Sequence, residues 1–171
     1  MTTLQNEAGR SASRRCADEA QTVLPLRWPE KPAFDWSTSL LANEAAGPNA
    51  RLRTRTWLTI GHWHGNVDIA ARVTDKLVDN AVKHGKISAP ARVPLRMAVI
   101  PETPQLMIEV DDANPAFPNF EDVQSGLCGS DSGLGFVQYQ GARINWHVLQ
   151  DDHGAVLGKT VQAILTLAEP A

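Results

Sequence analysis

Sustained alternation of apolar and polar positions begins only beyond the first twenty residues. Residues 1–20 are rich in Thr, Ser, Arg, Glu and Ala and show no apolar period. They predict a flexible N-terminal tail, followed by one domain over 21–171. Residues 22–28 (Thr-Val-Leu-Pro-Leu-Arg-Trp) read as extended, and Pro25, which cannot donate to a ladder, predicts an edge strand. Residues 29–49 carry three prolines and one glycine, which predicts a loop with a short helical turn around 40–44.

Two helical patterns follow. A first helix is predicted after Gly47-Pro48-Asn49, with Asn49 as N-cap and Leu52, Thr56, Ile60 and Trp63 on its buried face. Gly65 ends it. Asn66 can then cap a second helix over 67–84, with Asp68 in its first turn and Ala70, Val73, Leu77 and Ala81 as its apolar stripe. Gly85 supplies the stop, and Pro90 lies just beyond.

The period then shortens to two. Segments 95–100 and 106–110 read as strands joined by Pro101-Glu102-Thr103-Pro104. Residues 111–135, with four glycines and two prolines, predict a long loop, leading into a short helix near 136–139. Ile144, Trp146 and Val148 alternate with Asn145 and His147, and Val161, Ala163, Leu165 and Leu167 repeat that alternation. The order is strand, helix, helix, strand, strand, loop, short helix, strand, strand. It predicts an α+β fold, a two-layer α/β sandwich whose mixed, mainly antiparallel sheet is covered on one face by helices.

The 171 residues carry 16 basic and 19 acidic side chains for a net charge of -3, which lacks the electrostatic footprint of a nucleic-acid binder. No apolar run approaches the roughly 20 residues of a bilayer span, and no apolar leader opens the chain. Cys16 and Cys128 stand far apart and form no metal or redox motif, so a cytoplasmic protein with free thiols is expected.

Three constellations could carry chemistry. Lys76, Asn80, Lys83 and His84 fall on one flank of the second helix, beside its apolar stripe. Asparagine is a poor helix-interior residue and asks for a partner there. Its amide could help to hold a hydrated magnesium while a nearby cation meets phosphate, unless the flank is only a solvated helix face. Asp111-Asp112-Ala113-Asn114-Pro115 follows an apolar strand; this is ordinary turn chemistry or a buried carboxylate that reads an exocyclic amine. Gly126 to Gly135 forms a glycine-rich loop entering a helix, which is either a mobile connection or a phosphate cradle. His62 and His64 make an unlikely metal pair, because on a helix they point about 200° apart. Arg51, Arg53 and Arg55 do not form a single basic stripe for the same reason.

In chain order, Leu77 to Gly85, Val110 to Pro115, Gly133-Leu134-Gly135 and Gly158-Lys159-Thr160 resemble the GHKL (Bergerat-fold) ATP-binding superfamily. That superfamily includes gyrase, histidine-kinase catalytic domains and the anti-sigma-factor serine kinases. The size and the closing Gly-Lys-Thr-Val segment look most like the small anti-sigma regulatory branch. The resemblance implies ATP and Mg2+ as cofactors, with Asn80 on the magnesium, Lys83 and His84 flanking the phosphates, and Asp112 reading the adenine amine. Asn114 and Pro115 would complete that turn, Gly133 and Gly135 the phosphate-covering lid, and Thr160 would lie near the adenine. It further implies docking of a protein partner, a sigma factor or its antagonist. Small relatives are often dimers, which makes a homodimer an expectation; Trp28 and Trp36 are expected first as core or loop anchors, with a place at that interface as the alternative.

One position departs from the pattern. Where catalytic members carry a glutamate as general base, four residues before the helix asparagine, this chain has Lys76. An ammonium does not accept a proton at neutral pH unless burial depresses its pKa by several units. The resemblance therefore implies nucleotide binding more strongly than kinase activity. A nucleotide-free interaction module on the same fold and an active serine kinase or ATPase are the alternatives.

Overall fold

The computed structural model describes residues 25–86, 91–129 and 132–167. The first strand, β1 (Phe34–Leu41), lies inside the segment expected to be loop. Its Trp36 and Leu40 are buried while Asp35, Ser37 and Ser39 are exposed or half-buried, a period of two that Pro29 and Pro32 precede without interrupting. The edge strand expected over 22–28 is not formed at 25–28, and 22–24 lie outside the described residues.

Helix α1 (Ala46–Ile60) begins ahead of Pro48, which is tolerated in a first turn whose N–H groups have no helical partner. Its cap is Ala45, with no side-chain hydrogen bond, so Asn49 is not the cap. The buried face is Ala46, Gly47, Ala50, Thr54 and Leu58. Leu52 and Ile60, expected inside, are 65% and 58% exposed. Two residues turn a helix by about 200°, so the real face is nearly opposite the expected one. Small side chains let α1 approach its neighbour closely, with Leu58 the one large side chain on the buried face and Leu52 and Ile60 left outside. Trp63 is buried, but beyond the helix, with its indole N–H donating to the Pro104 carbonyl at 3.1 Å.

Helix α2 (Val67–His84) follows the expected pattern throughout. Asn66 Oδ1 accepts from the Ile69 N–H at 3.0 Å, Asp68 sits in the first turn, and Ala70, Val73, Leu77 and Ala81 are buried. The chain continues through β2 (Arg92–Val99), β3 (Leu106–Asp112), α3 (Phe120–Gln124), α4 (Gly133–Tyr139), β4 (Arg143–Gln150) and β5 (Val156–Leu165). The long loop expected over 111–135 thus contains the end of β3, the short helix α3 and the first turn of α4.

The strands form one sheet in the order β1-β2-β3-β5-β4, and every pairing is antiparallel. Alternation sends Trp36, Leu95, Met97, Ile108, Val110, Val161 and Ala163 into one core with Val73, Leu77 and Ala81 of α2 and Val137 of α4. Side chains one position out of phase, among them Arg96, Glu109, Asp111, Thr160 and Gln162, stand on the other face. The result is the expected α+β sandwich, helices on one side of an antiparallel sheet. Among the described residues no helix is long and apolar enough to cross a membrane.

Candidate functional site

The last turns of α2 and the end of β3 meet at one end of the sandwich. Gly85 makes the meeting close: a Cβ there would lie 2.6 Å from the Cβ of Asp112, so any side chain would push the carboxylate away. Asp112 is in phase with Leu106, Ile108 and Val110 and therefore points to the helix face, where it is buried. Its Oδ1 accepts from the Asn114 N–H at 2.8 Å, the Asx turn that the Asp-Ala-Asn sequence suggests.

Lys159 completes this arrangement. It stands directly opposite Asp112 in the β3–β5 register and is 3% exposed. Its Nζ donates to Asp112 Oδ1 at 2.9 Å and to the Asn114 carbonyl at 3.1 Å, and lies 5.7 Å from the centre of the Phe117 ring. Asp112 Oδ2 is also 2.9 Å from Nζ, but it is buried and makes no hydrogen bond.

Asn80, His84, Asn114, Phe117, Asn119 and Lys159 surround a cavity of about 350 Å³, with Asp112 behind Lys159. Asn114 Nδ2 donates to the His84 carbonyl at 3.4 Å, tying the β3 turn to the end of α2. Lys76 is half-buried one turn before Asn80. Lys83 points elsewhere, since its ammonium pairs with Asp79 at 2.7 Å on an exposed helix surface.

Gly133 and Gly135 form the first turn of α4. A Cβ on Gly133 would be 3.9 Å from the Lys76 carbonyl, which places the start of α4 over the same stretch of α2. A Cβ on Gly135 would collide with the carbonyls of Cys128 and Gly129, so glycine is needed where α4 presses on the preceding loop. Ser132 Oγ accepts from the Gly135 N–H at 3.0 Å.

Thr160 is not brought to this cavity. It follows Lys159 on β5 and so points through the opposite face, where its hydroxyl donates to Asp111 Oδ1 at 2.6 Å. Thr160, expected near the adenine, thus faces away from this cavity, and Lys159 is the β5 residue beside Asp112. The signal was present in the sequence: Lys159 is in phase with the apolar set Val161, Ala163 and Leu165, and a lysine at an inward position needs an anionic partner.

The Thr160–Asp111 pair belongs to a separate network on the outer face. Arg96 reaches Glu109 Oε2 at 2.9 Å and Asp111 Oδ1 at 3.2 Å. Gln162 Nε2 donates to Glu109 Oε1 at 2.9 Å and to the Leu26 carbonyl at 2.8 Å, while its Oε1 accepts from the Leu26 N–H at 3.0 Å. Burial raises the Asp111 pKa above the usual carboxylate value, with Glu109 adding to the rise, against the lowering effects of Thr160, Arg96 and His147. Trp28 packs over the Arg96 guanidinium at 5.8 Å, and Trp36 stacks on Trp57 at 5.1 Å in the core, so both tryptophans have partners within the chain.

No protein-family model matches the sequence, and no curated protein matches it. Solved structures do match. The crystal structure of the RsbU and RsbW domains of Rv1364c from Mycobacterium tuberculosis aligns with a TM-score of 0.52 at 17% identity. The alignment covers 81% of this chain and 34% of that one, so the present chain spans about a third of the length of that protein's structure. The histidine kinase domain of the Erythrobacter litoralis EL346 blue-light activated histidine kinase aligns at 22% identity with a TM-score of 0.42, over 59% of this chain and 44% of that one. The likeness to the RsbU and RsbW domain structure is one of fold.

Proposed function

We propose that this chain is a nucleotide-binding regulatory protein that recognises Mg-ATP or a related nucleotide at the cavity between α2 and the β3 turn. In this reading, bound nucleotide sets the state that docks a protein partner, a sigma factor or its antagonist. The observation that carries the reading is the convergence of Asn80, His84, Asn114 and Lys159 on one cavity from three distant stretches of sequence, with Asp112 held by Lys159 behind its wall. The GHKL-type fold supports it independently.

Among the described residues there is no cluster of three or more His, Cys, Asp or Glu side chains able to hold a metal ion. The donor set therefore fits a magnesium that arrives with the nucleotide, keeps most of its oxygen ligands from phosphate and water, and takes the Asn80 amide oxygen as a single protein ligand. Such an ion would neutralise phosphate charge. Asn80 would orient the ion, and His84 and Asn114 would line the cavity around the nucleotide. Gly133 and Gly135 would let the start of α4 approach the phosphates with backbone alone. Lys76, at the helix position from which a base would act, offers a cation to phosphate and no proton acceptor. The reading is thus binding without phosphoryl transfer.

Calorimetric titration of Mg-ATP into the full chain and into Asn80→Ala tests it. Micromolar to low-millimolar binding that depends on magnesium and is lost in the variant is the expected result. Absence of heat with folded wild-type protein would rule the reading out.

A further inference from the structure

On the nucleotide-binding reading Asp112 is the carboxylate expected to accept from the amine of a bound adenine, yet both of its oxygens are enclosed within the chain. Oδ1 takes the Asn114 N–H and the Lys159 ammonium, and Oδ2 is buried within 2.9 Å of the same ammonium. While this pair stands, no accessible acceptor remains on Asp112 for a ligand's amine. We propose that Lys159 fills, from inside the protein, the place an adenine amine would occupy, so that the wild-type cavity does not prefer adenine over guanine nucleotides. The inference rests on the nucleotide-binding reading above and deepens it.

The chemistry of the ammonium points the same way. Lys159 has three N–H donors; Asp112 and Asn114 take two, which leaves one for a ligand in the cavity that Lys159 lines together with Phe117. A donor in that place suits a carbonyl oxygen, such as the 6-oxo group of guanine, and finds no acceptor in an exocyclic amine. A site discriminates sharply for an amine only when its absence leaves a buried acceptor unpaired, and here Lys159 keeps Asp112 paired whatever binds.

The outer face of the same two strands supplies a control. One position along the register, Asp111 stands opposite Thr160, and the threonine hydroxyl bonds the carboxylate at 2.6 Å. A threonine opposite an aspartate thus fits this pairing geometry. Lys159→Thr is expected to reproduce that bond on the inner face, keep Asp112 paired to a hydroxyl, and open the space and the second oxygen to a ligand.

The test is calorimetric titration of Mg-ATP and Mg-GTP into the full chain and into Lys159→Thr. Wild type should bind the two nucleotides within about threefold of each other, and the variant should favour ATP by about tenfold, the order of one hydrogen bond to a charged acceptor. A wild-type preference for ATP above about tenfold would overturn the proposal, as would a variant with an unchanged ratio. If neither protein, each shown to be folded, binds either nucleotide, the nucleotide-binding reading itself fails and takes the inference with it. A measurement on wild type alone guards against a variant that does not fold. The buried ammonium of Lys159 should give a slowly exchanging NMR signal that persists when Mg-ATP or Mg-GTP is added to saturation. Loss of that signal with ATP and not with GTP would mean that adenine displaces the lysine, and the proposal would fall.

Discussion

Asp111 and Asp112 leave β3 through opposite faces of the sheet and meet the cost of burial in different ways. On the helix face, Asp112 has one enclosed ammonium and one backbone N–H, and the lysine that serves it is itself buried. On the outer face, Asp111 shares Arg96 with Glu109 and adds a hydroxyl from Thr160, within reach of a half-exposed guanidinium. An enclosed pair is all-or-none: either partner without the other is an unpaired charge in the core. A shared network is graded, since each member keeps some partner when one is lost. Strand β3 therefore carries a rigid ion pair to β5 inside and an adjustable one to β2 outside.

The sharpest way to break the comparison is to remove one cation from each face. Lys159→Ala leaves Asp112 buried and uncompensated and should cost about 3–5 kcal/mol in denaturant unfolding. Arg96→Ala, on a side chain 36% exposed, should cost about 1–2 kcal/mol. Equal losses would mean that the two faces are not electrostatically distinct. An effect between these two is expected from Gly85→Ala, which must displace Asp112 from a contact already closed to a Cβ. Overpacking of this kind costs about 1–3 kcal/mol, read as a lowered unfolding midpoint with little change in the denaturant slope.

The smallest effect is a pH dependence on the outer face. Because burial raises the Asp111 pKa in the folded chain, the folded state holds its proton to higher pH than the unfolded state does. That contribution is fully present below the unfolded carboxylate pKa and is lost as pH rises through the folded value. Asp111→Asn, which cannot ionise, should therefore gain stability relative to wild type as pH is raised from 4 to 7, in parallel urea titrations. A gap that shrinks over that range would reverse the sign assigned to the burial of Asp111.

What the sequence made legible follows from how local each signal is. Helix α2 could be read because its cap, its stripe and its glycine stop all lie within a single run from Asn66 to Gly85. Strand β1 was hidden by neighbouring prolines, although Trp36 and Leu40 alternate with polar residues inside it. The sequence of α1 suggests the wrong phase because its large apolar side chains mark one face, whereas close packing selects Ala50 and Thr54 on the other. At the site, Asn80, Asp112 and Asn114 were visible as a chain-order pattern. The roles of Lys159 and Thr160 hinge on the parity of one strand, and shifting by one residue exchanges the faces. Phe117 and Asn119 lie in a connection whose course depends on the whole fold, and no local signal marks them.

The position of β5 has a consequence for biosynthesis. It comes last among the strands, yet it lies between β3 and β4. Until the ribosome has released residues 156–165, both of those strands face an empty slot with unpaired backbone, which a neighbouring nascent chain could fill. Lys159 arrives in that same segment, so Asp112 waits without its counter-ion until the sheet is closed. Closure of the sheet and pairing of the Asp112 charge are therefore reached in one step, near the end of synthesis of this sheet.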